Sequence, residues 1–180
     1  GIKSRLLGGR VAWTNSLFTI RRADASLEDP SNGPGEQFVV NGGKGRITGF
    51  ESEVAAQLGQ HLRLRGGIAI QQSRIVANDD PSFVGNRFAN TPKNQFSLLA
   101  SYDWAALGLA DLTTDVGLIR IGQRWGNSGN NLSLPDYTLV NLGASYRVAR
   151  DTTLRLSIVN ATDETYYTGM QDSGARADQI

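Results

Sequence analysis

The sequence predicts an all-β protein, an antiparallel up-and-down transmembrane β-barrel to which this chain contributes about eight strands. Apolar and polar residues alternate along it with a period of two, which is the period of a β-strand. Short and long connections alternate between these segments, as in barrels with short periplasmic turns and long outer loops. The five prolines all lie in or at the ends of long connections, where they remove no ladder hydrogen bond.

The predicted strands follow one another as hairpins. Adjacent Gly8 and Gly9 supply the positive φ angles that the first tight turn needs, and residues 59–61 form the second turn. Long polar connections at 23–36 and 76–91 follow these two hairpins. The predicted strands are 2–7, 11–22, 45–58 with a lead-in at 37–40, 62–75, 94–104, 112–125, and the two arms of a hairpin within 134–169 that turns at 149–151.

Most of these strands carry one apolar face. The sixth strand is an exception, because Ile119 and Ile121 fall opposite Val116 and Leu118, which predicts a bulge or a register error. Residues 170–180 are polar and are predicted to form a loop. The apolar faces, in chain order, are Phe50, Val54, Ala56 and Leu58; Leu62, Leu64, Ile68 and Ile70; Phe96, Leu98, Ala100, Tyr102 and Trp104; Val140, Leu142, Ala144, Tyr146 and Val148; and Leu154, Leu156 and Ile158.

An apolar strand face points to a core in a soluble sandwich and to lipid in a membrane barrel. The alternating loop lengths favour lipid. Tyr102, Trp104 and Tyr146 lie near short turns, where an aromatic girdle at the periplasmic membrane interface is expected. Ordinary core aromatics are the alternative interpretation of these three residues.

The opposite face of one hairpin carries charges. Glu51 and Glu53 lie on the third strand, and Arg63 and Arg65 lie on the fourth. We expect them to face the lumen and to form ion pairs that support strand pairing. A solvated outer face of a soluble protein is equally compatible with their spacing.

Composition excludes several classes of function. The chain has 18 basic and 17 acidic residues and a net charge of +1, which gives no electrostatic footprint for nucleic acid. It has no cysteine and one histidine, His61, so neither a thiolate site nor a histidine-based metal centre is expected. Asp79, Asp80 and Asp111 are too scattered for a calcium loop. No metal site and no cofactor are therefore predicted.

Four segments resemble TonB-dependent receptors. RITGFESEVAAQL at 46–58 resembles that family's "RSRGxExE" strand, and NTPKNQFSLLASYDW at 90–104 resembles its "xxPxHxFxLxxxY" strand. LPDYTLVNLGASYRV and LRLSIVNATDETYYT resemble its penultimate hairpin with the "NLFDKxYY" signature. Ala161 and Thr162 depart from the usual Leu-Phe, and Asn94 stands where His is common. The order of the four segments makes the resemblance specific, and the siderophore receptors are the nearest subgroup.

The resemblance implies a bacterial outer-membrane receptor that binds a ferric siderophore and imports it with TonB-transduced energy. Residues 1–180 would be the C-terminal portion of a 22-stranded barrel domain, without the plug domain, the TonB-contacting N-terminal region and the final strand. The implied partners are a ferric siderophore, the TonB complex and outer-membrane lipid, with no nucleic acid. The siderophore would carry the iron, so the protein needs no cofactor of its own.

Candidate ligand-binding residues lie in two of the long loops. Phe83, Arg87 and Phe88 belong to one, and Arg124 and Trp125 lie at the mouth of another. Arginines and aromatic rings hold an anionic iron chelate by charge and stacking. The alternative for Phe83 and Phe88 is that they anchor their loop over the barrel rim.

Two other architectures compete with a large receptor. One is a self-contained eight-stranded outer-membrane barrel that acts as an adhesin or a membrane anchor. The other is a soluble lipid-binding β-barrel, which the alternating loop lengths disfavour. No pairing of a nucleophile with a base, or of two carboxylates, stands out, so no enzyme is predicted.

Overall fold

The computed structural model describes residues 1–28, 39–171 and 174–177. Within these ranges the chain forms three short 3-10 turns, at Leu7–Gly9, Pro81–Phe83 and Trp104–Leu107. In the described residues no helix has the length and apolar character needed to cross a membrane. The strands are β1 Ile2–Leu6, β2 Val11–Glu28, β3 Val39–Leu58, β4 Leu62–Ala77, β5 Asn94–Asp103, β6 Leu112–Ile121, β7 Arg124–Trp125, β8 Ser133–Leu134, β9 Tyr137–Ala149, β10 Thr152–Ile158, β11 Tyr167–Gln171 and β12 Gly174–Ala177.

Eight of the strands form one sheet in the order β1-β2-β3-β4-β5-β6-β9-β10. Every neighbouring pair is antiparallel, which confirms the up-and-down arrangement. β1 and β10 form the two edges and do not pair with each other. The pairs β7-β8 and β11-β12 are small hairpins outside this sheet.

The short turns lie at one end of the sheet, which we call the short-turn end. They follow β1, β3, β5 and β9. The opposite end, which we call the long-loop end, carries residues 78–93 and 122–136. Pro81, Pro92 and Pro135 lie within those two loops, as predicted, whereas Pro30 and Pro34 lie outside the described residues.

One face of the sheet is apolar and exposed. Cross-strand pairing places seven apolar residues from seven strands in one row across it. Among the described residues only three hydrophobic side chains, Ile75, Phe88 and Leu134, are buried, so no core covers this face. The row consists of Val11, Ala56, Leu64, Ala100, Val116, Leu142 and Ile158.

The opposite face lines a trough of about 960 Å³. Small residues such as Gly67, Gly117 and Gly143 form part of its wall, and charged residues project from the strands around them. A polar trough beneath an exposed apolar face is the arrangement of a membrane barrel wall. The polar and charged residues along the trough include Glu53, Arg63, Arg65, Ser97, Thr113, Asp115, Asn141, Ser145, Arg155 and Ser157.

The predicted bulge in the sixth strand is wrong. β6 pairs with β5 and with β9 without a register shift. Ile119 lines the trough, so an apolar side chain faces the polar side without disturbing the ladder. The strand is also shorter than predicted, because it ends at Ile121 and residues 124–125 form β7 in a separate hairpin.

Two connections differ from the prediction. β2 continues to Glu28 and β3 begins at Val39, so residues 23–28 of the predicted connection at 23–36 are strand and residues 29–36 lie outside the described residues. The predicted polar loop at 170–180 includes the end of β11 and all of β12, with residues 172–173 and 178–180 outside the described part. These segments form strands without regular alternation, because backbone hydrogen bonds between paired strands do not require an apolar face.

Candidate ligand-binding site

The loop at residues 78–93 folds back onto the inner face of β4. The backbone N–H of Ile75 donates to the Asn86 carbonyl at 2.8 Å, and Gly85 N–H donates to the Ile75 carbonyl at 2.9 Å. Phe88 N–H donates to Ser73 Oγ at 3.1 Å. Ser73 and Ile75 are buried under this loop, which therefore forms an ordered cover at the long-loop end.

Phe88 is the anchor of the loop. Its ring is 8% exposed and packs with Ile75, and Ile47 and Phe83 pack against this pair. The ring also lies over Gly45, where an added Cβ would come within 2.0 Å of Phe88 Cζ. Phe83 and Phe88 thus anchor their loop, which was the alternative interpretation of these two residues. Their contact with a ligand remains a prediction.

The two long loops are hydrogen-bonded to each other. Arg87 N–H donates to Asn130 Oδ1 at 2.8 Å, and Asn130 Nδ2 donates back to the Arg87 carbonyl at 2.9 Å. Asn86 Nδ2 donates to the Ser128 carbonyl at 2.9 Å. The backbone N–H of Asn90 donates to the Trp125 carbonyl at 2.7 Å. The structure therefore joins the two loops that carry the predicted residues.

The Arg87 side chain has unused hydrogen-bonding capacity. Its Nε and Nη2 atoms are buried and have no partner. Burial of the guanidinium lowers the pKa of Arg87 from its ordinary value. A buried cationic donor without an acceptor is a favourable position for an incoming anionic group.

Arg124 is the most buried charged residue of the site, at 3% exposure. Its Nη2 donates to the Tyr167 carbonyl, and its Cζ lies 5.4 Å from the ring centroid of Tyr137. The Nη1 atom is buried and has no partner. Tyr137 in turn packs against Tyr166 with ring centroids 4.6 Å apart, so one guanidinium and two phenol rings form a compact cluster.

Sequence reasoning missed Tyr137, Tyr166 and Asn130. The two tyrosines could have been found, because they flank the arms of one hairpin and antiparallel pairing brings such residues to the same end. Asn130 has φ of 53°, a conformation that asparagine tolerates better than most residues. Its bond to Arg87 spans 43 residues, and no local pattern predicts such a contact.

The predicted ion pairs of the lumen are wrong. Glu53, Arg63 and Arg65 line the trough as expected, whereas Glu51 is not part of its lining. Across the hairpin Glu53 lies opposite Gly67, and Arg65 lies opposite Ala55, so charges of opposite sign do not face each other. In the described part of the chain the ion pairs are Arg120 with Asp136 at 2.5 Å and Arg147 with Asp111 at 2.7 Å.

The three predicted interface aromatics lie at the short-turn end. Tyr102 and Trp104 pack edge to face with ring centroids 5.1 Å apart, and Trp104 Nε1 donates to Thr114 Oγ1 at 2.9 Å. Tyr146 is exposed on the apolar face. Trp104 lies in a 3-10 turn rather than in the predicted strand. Their role at a membrane interface remains a prediction.

A family described as TonB dependent receptor-like, beta-barrel, matches residues 1–161 of the chain. The chain belongs to the TonB-dependent receptor family. Its members are outer-membrane receptors and transporters, which places this chain in the outer membrane. The fold and the localisation predicted from the resemblance are thereby confirmed.

Individual members of the family resemble the chain over almost its whole length. The metal-pseudopaline receptor CntO of Pseudomonas aeruginosa is 33% identical over 168 residues, which are 93% of this chain and 23% of that receptor. The ferripyoverdine receptor of the same species is 28% identical over 183 residues, which cover 94% of this chain and 22% of the receptor. The chain thus spans about a quarter of the length of the relatives it matches.

Solved structures of family members share the fold. BauA, the ferric preacinetobactin receptor of Acinetobacter baumannii, has a TM-score of 0.76 at 28% identity, covering 94% of this chain and 26% of that chain. The siderophore receptor PiuA of the same species has a TM-score of 0.78 at 22% identity, covering 97% of this chain and 25% of that chain.

Proposed function

We propose that this chain forms part of the barrel wall and outer mouth of a receptor that binds a ferric siderophore and imports it with energy transduced by TonB. One observation carries the proposal beyond family membership: the Arg124 guanidinium is buried beside Tyr137 and Tyr166, and its Nη1 has no partner. A buried cation next to stacked rings suits an anionic aromatic metal chelate.

The two linked loops give this cluster a defined position. Arg87 has further unpartnered donors in the loop that is bonded to Asn130. Cationic groups on two loops that hold each other can contact one ligand from two sides. The chelate carries its own metal, so the protein supplies hydrogen bonds and stacking and requires neither metal ligands nor a cofactor. We assign no enzymatic activity to the site.

The relatives define which chelates to test. Their names specify metal-pseudopaline, ferripyoverdine and ferrichrome. The name of CntO specifies a metal chelate without specifying iron. A chelate of another transition metal is therefore the second candidate ligand.

The self-contained eight-stranded barrel is not supported. The eight-stranded sheet leaves β1 and β10 unpaired with each other in the described residues, and a closed barrel requires that pairing. The chain also matches about a quarter of proteins that are receptors. A complete receptor barrel with further strands is the better proposal.

The experiment uses the intact receptor that contains this chain. Binding of the three chelates is measured for the unchanged receptor, for Arg124→Gln and for Arg63→Gln, a control that removes a trough arginine at the other end of the sheet. We expect Arg124→Gln to weaken binding of the cognate chelate about tenfold to a hundredfold, the cost of about 1.5–3 kcal/mol for a lost charged hydrogen bond. Equal binding by Arg124→Gln and the unchanged receptor would contradict the site, and binding of none of the three chelates would contradict the ligand class.

A further inference from the structure

Three arginines form a row across β2, β3 and β4 near the long-loop end. Arg21 lies opposite Arg46, and Arg46 lies opposite Arg74. All three residues are exposed. Directly opposed residues on neighbouring strands have Cβ atoms about 4.5–5.5 Å apart, so the three guanidinium groups start from adjoining positions. We call this set the arginine row.

The arginine row lies on the apolar face of the sheet, away from the trough. On β2 the residue four positions before Arg21 is Leu17, which is 81% exposed. On β4 the residue four positions before Arg74 is Ile70, also an exposed apolar side chain. The pairing in this part of both hairpins has no register shift, so alternation keeps the row on the face that contacts lipid.

The rows below the arginines change from apolar to polar in steps of two residues. The row of Leu17, Phe50 and Ile70 is followed by a row of Thr19, Thr48 and Gln72, and then by the arginine row. At about 3.4 Å per residue, the arginines lie about 14 Å along the strands beyond the last apolar row. With a strand tilt of about 40° this is about 10 Å in height, which sets the arginines outside the hydrocarbon layer, on the side of the polar headgroups.

In the described part of the chain, none of the three arginines has an ion pair or a side-chain hydrogen bond with another residue. Arg120, which lies on the same face of β6, is paired with Asp136 at 2.5 Å. Like charges directly opposite each other destabilise a sheet. The three exposed guanidinium groups are therefore available to an anion from outside the protein.

We propose that the arginine row binds the phosphate groups of a phosphorylated glycolipid of the outer leaflet, of the lipopolysaccharide type. Guanidinium groups bind phosphate through paired hydrogen bonds. The row is also continuous with the lipid-facing apolar residues, so a lipid can place its chains on the apolar rows and its phosphates on the arginines. Thr19, Thr48 and Gln72 lie between the last apolar row and the arginine row. Their hydroxyl and amide groups can donate hydrogen bonds to sugar and ester oxygens of the lipid.

The test uses the intact receptor in lipid nanodiscs. The triple variant Arg21→Gln, Arg46→Gln and Arg74→Gln is compared with the double variant Arg63→Gln and Arg65→Gln, which removes charge from the trough side of β4. The probes are bisphosphorylated lipid A and the same lipid without phosphates, measured by native mass spectrometry. We expect the unchanged receptor and the double variant to prefer the phosphorylated lipid at least tenfold, and the triple variant to lose that preference.

Three results overturn the proposal: an unchanged preference in the triple variant, no preference in the unchanged receptor, or equal loss in both variants. Inorganic phosphate at millimolar concentration is added as a competitor, and complete displacement of lipid A by it would show a free-anion site instead. Should the triple variant fail to fold, Arg46→Gln alone tests the same site, because Arg46 has an arginine on both sides and its loss is expected to reduce the preference at least threefold. None of these results depends on which chelate the receptor binds.

Discussion

At the scale of single residues, Gly45 and Phe88 decide how the loop at 78–93 is held. The absence of a side chain at Gly45 leaves room for the Phe88 ring against the inner face of β3. Phe88 is among the few buried hydrophobic residues of the described chain. A small contact at the strand end therefore determines the position of a loop that carries a candidate ligand group, Arg87.

Gly45→Ala tests this contact. The added Cβ would lie 2.0 Å from Phe88 Cζ, so the ring must move, and overpacking of this kind costs about 1–3 kcal/mol. We expect limited proteolysis to cleave the loop at 78–93 of the intact receptor faster in this variant. Gly66→Ala is the matched control, because its nearest contact would be an ordinary 3.5 Å. Equal cleavage in both variants would show that Phe88 is not the anchor.

Asn130→Gly tests the bond between the loops. Glycine accepts the positive φ of 53° but removes both side-chain bonds to the Arg87 backbone. We expect the Arg87 amide to exchange its hydrogen with solvent at least tenfold faster, since local opening becomes easier when a buried hydrogen bond is lost. The amide of Ile47, in the middle of β3, serves as the internal reference and should keep its exchange rate. An unaltered rate at Arg87 would mean that other contacts hold the loops together.

At the scale of elements, the strands and their faces could be predicted from the sequence because alternation is a local property. The register of each hairpin follows from its short turn, as for the pairing of Leu58 with Leu62. The bond of Arg124 to Tyr167 and the bond of Arg87 to Asn130 could not be predicted, because each joins residues that are 43 positions apart in sequence. Prediction therefore succeeded for the wall of the barrel and was incomplete for the site above it.

The two faces of β6 are expected to respond differently to the introduction of a charge. Val116 lies in the apolar row on the lipid side, whereas Ile119 lines the trough. We expect Val116→Arg to destabilise the intact receptor by about 2–4 kcal/mol in lipid bilayers. Ile119→Arg should have a smaller effect, because its side chain enters a polar trough. Unfolding in denaturant measures both, and a larger loss for Ile119→Arg would reverse our assignment of the faces.

At the scale of the whole molecule, the sheet has two open edges in the described residues, at β1 and β10. Open edges present unpaired backbone donors and acceptors. The exposed apolar face adds a second surface that water does not favour. The open edges therefore favour pairing with other strands, and the apolar face favours contact with lipid.

Expression of residues 1–180 alone tests this expectation. We expect the isolated chain to form oligomers in detergent, because detergent covers the apolar face and leaves the edges of β1 and β10 open. Light scattering coupled to size-exclusion chromatography measures the mass, with the intact receptor as the control. A monodisperse monomer of the isolated chain would indicate that its edges are protected in another way.

The reciprocal bonds between Arg87 and Asn130 have a consequence for engineering receptors of this kind. Both bonds join the Asn130 side chain to the Arg87 backbone. Transplanting residues 122–136 alone, from a relative that lacks this asparagine, would therefore break both bonds and leave the loop at 78–93 without its partner. The segments 78–93 and 122–136 are best exchanged together, as one inherited unit. The same reasoning applies to antibodies raised against this surface, whose epitope would be discontinuous and would be absent from either loop as a free peptide.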